Sequence, residues 1–82
     1  MGNDSKETPQ DPLDYAVEAF ERYIEVVIQI KQNPKIRKDH ADEYFFLLQD
    51  AKRAVPRERG AEYEARTEKK KNELEEKYGV RI

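Results

Sequence analysis

The chain has 82 residues, of which 41% are charged and 37% hydrophobic, and its net charge is −2. A chain of this length forms one domain at most and buries only about 60–65% of the surface that it exposes when unfolded. The absence of cysteine excludes disulfides, thiolate metal sites and thiol nucleophiles. The near-neutral balance of charge gives no electrostatic reason to expect nonspecific binding to nucleic acid or to a membrane.

The first ten residues are polar and show no periodicity, so we expect a disordered tail at 1–10 and a single helical domain at 11–82. No apolar run approaches the roughly 20 residues that a membrane span needs. The N-terminal residues also lack the apolar region of a signal peptide. We therefore expect a cytoplasmic protein without a membrane partner.

The segment 23–34 is compatible with either a strand or a helix. Its aliphatic residues alternate as in a strand, but they also continue a helical pattern that begins at Asp11 and Pro12. An aspartate suits the N-cap position and a proline the first helical position. No other segment alternates for long enough to pair with a strand here. The sequence therefore predicts a first helix over about 12–32 and no β-sheet.

The dipeptide Asn33-Pro34 marks the boundary between the first and second helices. A residue before proline is pushed out of the helical region of backbone conformation, so the first helix is expected to end near Gln32. Proline is favoured at the start of a helix, which predicts a second helix over about 34–55. Asp39 is a competing N-cap for this helix.

A second interruption, at 55–60, contains a proline and a glycine and separates a third helix over about 57–78. Gly79 follows as a glycine stop of the Schellman type. The predicted fold is a small all-α, three-helix domain. It consists of a helical hairpin of helices 1 and 2 plus a polar third helix.

Helix 1 carries apolar residues around roughly 220° of its circumference, about twice what one neighbouring helix covers. These residues form two adjoining faces. The first face consists of Leu13, Ala16, Val17, Phe20, Ile24 and Val27. The second face consists of Ala19, Tyr23, Val26 and Ile30. Helix 1 is therefore expected to be the central element and to need covering from two sides.

The other two helices offer unequal covers for helix 1. The apolar face of helix 2 consists of Ala41, Tyr44, Phe45, Leu48, Ala51 and Val55, with Leu47 at its margin. The stripe of helix 3 is thinner and consists of Tyr63, Thr67, Leu74 and Tyr78. Either helix 3 lies across helix 1 and closes a monomeric bundle, or a second chain completes the core. We predict the second arrangement, a homodimer formed through the second face of helix 1.

Phe46 points away from the predicted core face of helix 2. The side chains around it are Asp42, Glu43, Gln49, Asp50 and Arg53. An aromatic ring in such surroundings is a candidate contact for a partner protein. The predicted protein-interaction residues are Ala19, Tyr23, Val26, Ile30 and Phe46.

Basic residues in two segments, 35–38 and 52–59, indicate an alternative function. The candidate contacts to phosphate or to an acidic partner are Lys35, Arg37, Lys38, Arg53, Arg57 and Arg59. With these residues the chain would be a nucleic-acid-binding regulator. Acidic residues lie beside the first segment and within the second, however, and no recognition motif is present.

The sequence offers little for catalysis. His40 is the only histidine, and a metal site built on it would need ligands from another helix or chain. A ridge of carboxylates on helix 1 has the pattern of a solvated helix face or of a docking edge for a basic partner. Its members are Asp14, Glu18, Glu21 and Glu25. We expect no catalytic residue, no metal and no cofactor.

The expected function is therefore a non-enzymatic protein–protein interaction module that acts as an adaptor, regulator or inhibitor. Its expected partner is another protein, including a second copy of this chain. Nucleic acid is the less favoured partner.

Overall fold

The structure, a computed structural model, describes residues 11–82. Within this range it contains three helices and no strand: α1 (Pro12–Gln32), α2 (Asp39–Arg53) and α3 (Gly60–Tyr78). A single 3-10 turn, Arg57–Arg59, leads into α3. The predicted all-α fold and the helical conformation of the segment 23–32 are confirmed. The tail predicted at 1–10 lies outside the described residues.

Helix α1 begins and ends where its capping residues predict. The side chain of Asp11 accepts a hydrogen bond from the Leu13 N–H at 2.9 Å, and Pro12 occupies the first helical position. At the other end, the Asn33 N–H donates to the Gln29 carbonyl at 2.8 Å. The capping residues therefore define both ends of α1.

Helix α2 begins at Asp39, five residues later than the sequence predicted, and the proline start at Pro34 is wrong. The reason is local: the side chain of Asn33 accepts a hydrogen bond from the Lys35 N–H, and its carbonyl accepts one from the Ile36 N–H. These bonds form a separate turn that competes with a helical start. The helical ladder begins only where backbone N–H groups donate to the Lys38 carbonyl.

The predicted end of α2 is also too late, because the helix ends at Arg53 rather than at residue 55. The N–H groups of Ala54 and Val55 donate to carbonyls three residues earlier, which tightens the chain before Pro56. Proline has no N–H and restricts the residue before it, so α2 cannot continue.

Helix α1 is the central element, and both α2 and α3 pack against it. One core cluster joins all three helices and consists of Leu13, Ala16, Val17, Ala51 and Tyr63, with Ala19 and Val55 packed against it. The other cluster joins α1, α3 and the C-terminal residues and consists of Ile24, Ile28 and Leu74, with Phe20, Tyr23, Tyr78, Val80 and Ile82 packed against it. The bundle is therefore closed on both sides of α1 by the same chain.

The stripe on α3 covers more of α1 than its composition suggests. Tyr63, Thr67 and Leu74 are all buried. The hydroxyl of Thr67 donates to the Tyr63 carbonyl at 2.9 Å, so a polar side chain is accommodated in this stripe without an unpaired group. Burial raises the pKa of the Tyr63 hydroxyl. The C-terminal residues Val80 and Ile82 extend the cover beyond the end of α3.

Ion pairs tie α3 to the acidic ridge of α1. Arg66 contacts Asp14 at 2.8 Å, and Lys70 lies 3.8 Å from Glu21. These two ion pairs join Asp14 and Glu21 of the ridge to α3. The ridge serves the packing of α3, which weakens its interpretation as a docking edge for a basic partner.

A third ion pair joins the start of α1 to the 3-10 turn. The guanidinium of Arg59 donates to both carboxylate oxygens of Asp11 at 2.9 Å. These hydrogen bonds, with a smaller contribution from the Leu13 N–H, lower the pKa of Asp11 below its ordinary value of 3.8. Because the pKa of Asp11 is lower in the folded state, its ionised carboxylate stabilises the fold. This stabilisation is fully present above pH 3.8 and is lost as the pH falls through the lowered pKa.

Asp11→Asn is therefore expected to destabilise the protein at neutral pH, with a penalty that disappears in acid. Asparagine caps a helix as well as aspartate does, so the change removes the charge and retains the cap. Urea unfolding of both proteins between pH 7 and pH 2 measures the difference. A difference that does not depend on pH would show that the ion pair does not contribute.

Gly79 ends α3 in the left-handed conformation, with φ at 68°, and the Val80 N–H donates to the Glu75 carbonyl at 3.1 Å. This is the predicted Schellman stop. A β-carbon at this glycine would meet open space, so only the backbone conformation opposes a side chain. Gly79→Ala is expected to cost about 1–2 kcal/mol of unfolding free energy.

Gly60 provides the matched control for this prediction, because it has helical φ and ψ and equally open surroundings. Gly60→Ala is expected to stabilise the protein by about 0.4–1 kcal/mol, since alanine restricts the unfolded chain. Thermal melting of both variants tests the pair of predictions. Equal effects of the two changes would contradict the backbone explanation.

Candidate protein-interaction surface

Four large hydrophobic side chains are exposed among residues 11–82: Tyr15, Phe45, Phe46 and Leu47. Three of them are consecutive on α2, and Tyr15 lies on α1. Successive residues of a helix point about 100° apart, so the three side chains on α2 point in different directions. Phe45 and Phe46 nevertheless contact each other, whereas Leu47 lies in a groove with Tyr15.

Phe46 is the most exposed of the four, with 68% of its surface accessible. It lies on the side of α2 that faces away from α1, as the sequence predicted. The prediction that Phe46 is exposed in the isolated chain is confirmed. Its contact with a partner stays a prediction.

Phe45 was predicted to be part of the core face of α2, and this prediction is wrong. The side chain is 42% exposed because α2 packs closely on α1 through fewer residues than the sequence indicates, and Ala51 is the only residue of α2 that is buried. The ring of Phe45 lies between two others: its centroid is 5.8 Å from that of Tyr23 and 6.4 Å from that of Phe46. We call these three residues the aromatic row. It leads from half-buried Tyr23 on α1 to the outer side of α2.

The opposite flank of α2 forms a shallow groove with α1. The groove is lined by Tyr15, Glu18, Ala19, Arg22, Tyr44 and Leu47 and encloses about 70 Å³. Sites for small molecules typically enclose about 300–1,000 Å³, so this groove is too small for one. A second hollow of about 260 Å³ follows along the same flank and is lined by Val26, Gln29, Ile36, His40 and Tyr44.

The predicted interaction residues of α1 do not form one free face. Ala19 and Val26 line the hollows between α1 and α2, and Tyr23 packs against Phe45. All three are half-buried, and so is Ile30. Helix α2 therefore covers part of the surface that was predicted to meet a second copy of the chain, while α3 covers the first face. The argument that a second chain is needed no longer holds, although self-association itself stays a prediction.

The basic residues of the alternative function lie in two separate places. Lys35, Arg37 and Lys38 precede α2, whereas Arg53, Arg57 and Arg59 lie at its end or beyond it. The 15 residues of α2 span about 22 Å, so the two groups do not form one patch.

Half of these basic residues also have carboxylate partners within the chain. Arg37 contacts Asp39 at 2.6 Å, and Arg53 lies 3.6 Å from Asp50. Arg59 is held by Asp11 and Glu62, which raise the pKa of its guanidinium, Glu62 more strongly. Arg59 is therefore a structural residue rather than a free phosphate contact.

The described part of the chain contains no group of three His, Cys, Asp or Glu side chains that could hold a metal ion. His40 is exposed in the first turn of α2. Over the same residues, no helix has the length and apolar character needed to cross a membrane.

Comparisons with models of protein families, with curated protein sequences and with solved structures found no match to this chain. The guide to function is therefore the chemistry of the surface. Its main feature is the aromatic row, which ends in an exposed ring on the outer side of α2.

Proposed function

We propose that this chain is a non-enzymatic protein-binding module that acts in the cytoplasm as an adaptor, regulator or inhibitor. Its contact with the partner is centred on Phe46. The observation that supports the proposal is the 68% exposure of this ring at the end of the aromatic row. Burying a phenylalanine side chain is worth about 1.5–3 kcal/mol, which a partner gains by covering it.

The aromatic row also prepares Phe46 for binding. Phe45 contacts both Tyr23 and Phe46, so the exposed ring has a neighbour that limits its movement. A phenylalanine has only two side-chain torsions, and its position on a helix restricts them further. Little conformational entropy is then lost on binding, which favours affinity.

Phe46→Ala is expected to leave the free energy of unfolding within about 0.5 kcal/mol of the parent, because the side chain makes few contacts within the chain. The same change is expected to weaken binding to the partner protein by about 30-fold or more, the loss typical of a central aromatic contact. Urea unfolding measures the first quantity. Affinity capture from native cells with the full chain, followed by titration with the purified captured protein, measures the second.

Tyr15→Ala is the matched control, because it removes a ring that is 47% exposed on α1, away from the outer side of α2. It is expected to leave partner binding within about threefold of the parent. Two results would contradict the proposal: equal weakening by both variants, or a loss of several kcal/mol of stability in Phe46→Ala.

A further inference from the structure

The charges around Phe46 form a pattern of their own. The residues one or two turns before and after it on the outer side of α2 are Asp39, Asp42, Glu43, Gln49, Asp50 and Arg53. Four are carboxylates and one is a guanidinium. We call this surface, with Phe46 at its centre, the acidic face.

The chain itself neutralises only part of this charge. Asp39 contacts Arg37, and Asp50 lies near Arg53, but the side chains of both pairs are more than 70% exposed. Such exposed pairs are weak and easily exchanged. Asp42 and Glu43 lie one turn before Phe46 on the same side, and no basic group of residues 11–82 forms an ion pair with them. The flank of Phe46 is therefore negative.

Helix stability accounts for only part of the acidic face. Carboxylates near the start of a helix interact favourably with its dipole, which explains Asp39 and Asp42. Asp50 lies in the last turn, where the dipole opposes a negative charge. The helix dipole also does not explain why an exposed phenylalanine, Phe46, lies between the carboxylates of the first turn and Asp50.

We propose that the partner contacts the acidic face with a basic protein segment that carries an apolar hollow for the ring of Phe46. This inference rests on the proposed function and adds the chemistry of the partner. Asp42 and Asp50 are eight residues apart, about 12 Å along the helix, with Phe46 midway between them. Lysine or arginine side chains on both sides of an apolar hollow match this spacing.

Charge argues against the other occupants of the acidic face. A second copy that docked through a two-fold axis at Phe46 would bring two acidic faces together, and like charges across an interface disfavour such a contact. Nucleic acid is excluded from this face for the same reason, because its phosphates would meet carboxylates. A basic protein segment is the occupant that gains from both the charge and the ring.

A photo-crosslinker at position 46 tests the inference. The full chain with Phe46→p-benzoylphenylalanine is expressed in its native host cells and irradiated, and the attached peptide is sequenced by mass spectrometry. We expect a segment of another protein with an excess of lysine and arginine. That segment is then synthesised and titrated against the parent chain and its variants.

The double variant Asp42→Asn, Glu43→Gln is expected to bind the synthetic segment about tenfold more weakly than the parent at low salt. The affinity of the parent is expected to fall towards that of the variant as salt rises, because screening removes the same attraction. Asp50→Asn provides a second variant that removes a carboxylate on the other side of Phe46 and relieves its repulsion with the helix dipole. The matched control is Glu64→Gln, Glu68→Gln, which makes the same reduction in charge on exposed residues of α3 and is expected to leave the affinity unchanged.

The outcomes separate this inference from the proposed function. A neutral or acidic segment, a second copy of the chain, or binding that survives neutralisation of the acidic face would overturn the basic partner and leave a protein-binding role intact. Crosslinks only to nucleic acid, or to no macromolecule, would overturn both.

Discussion

Ile28→Ala is expected to lower the free energy of unfolding by about 2–5 kcal/mol. Ile28 of α1 is fully buried against Leu74 of α3, so the change leaves a cavity as well as removing apolar contacts. Alanine is the better helix former by only a few tenths of a kcal/mol, which does not offset this loss. A chain of 82 residues has a total stability of about 4–12 kcal/mol, so the change removes a large share of it. Urea unfolding followed by circular dichroism measures the effect.

Ile30→Ala is the matched control, since it makes the same chemical change at a half-buried position two residues away. A loss of about 1 kcal/mol is expected, because only part of this side chain leaves water on folding. The comparison also tests self-association. If Ile30→Ala costs as much as Ile28→Ala and the melting temperature of the parent rises with concentration, a second chain covers the second face of α1 in solution.

Leu74→Ala is expected to cost a similar 2–5 kcal/mol, although α3 is mostly polar. Leu74 is the aliphatic side chain that α3 contributes to the cluster with Ile24 and Ile28, and it is only 5% exposed. Removing it opens the side of α1 that α3 and the C-terminal residues close. Melting of the variant is expected to shift to lower temperature by about 10 °C or more.

Leu47→Ala is the control for this prediction, because the same side chain is 47% exposed on α2. Its expected cost is about 0.5–1 kcal/mol. Equal costs for the two leucines would show that α3 does not close the bundle in solution. In that case a second chain would have to cover Ile24 and Ile28.

The sequence alone determined the features that depend on neighbouring residues. The start of α1 at Asp11 and Pro12 and the stop at Gly79 were correctly predicted, because a cap forms between groups only a few residues apart. The outward direction of Phe46 followed in the same way from the helical repeat. The start of α2 was mispredicted for an equally local reason, since Asn33 forms its own turn before the helix can begin.

Only the tertiary structure decided which helix covers which part of α1. A helical projection shows that α1 is apolar around much of its circumference, but the projection does not show where α2 and α3 pack. Ile28 was assigned from the sequence to neither apolar face of helix 1, yet it is fully buried, because Leu74 and the C-terminal residues pack against the cluster that contains it. The ion pairs of the acidic ridge depend on the same placement, since Arg66 and Lys70 meet the ridge only when α3 lies beside it.

Part of the candidate surface could be predicted from the sequence, and part depends on the tertiary structure. Its exposed centre, Phe46, could be predicted from the pattern of α2, because a residue opposite the core face of a helix points to solvent whatever the helix packs against. The aromatic row could not be predicted, because it depends on how α2 packs against α1, which places Phe45 beside Tyr23 and leaves it partly exposed. Side chains at the margin of a helix face are buried or exposed according to the exact position of the neighbouring helix, and that position is set by the packing of the whole core.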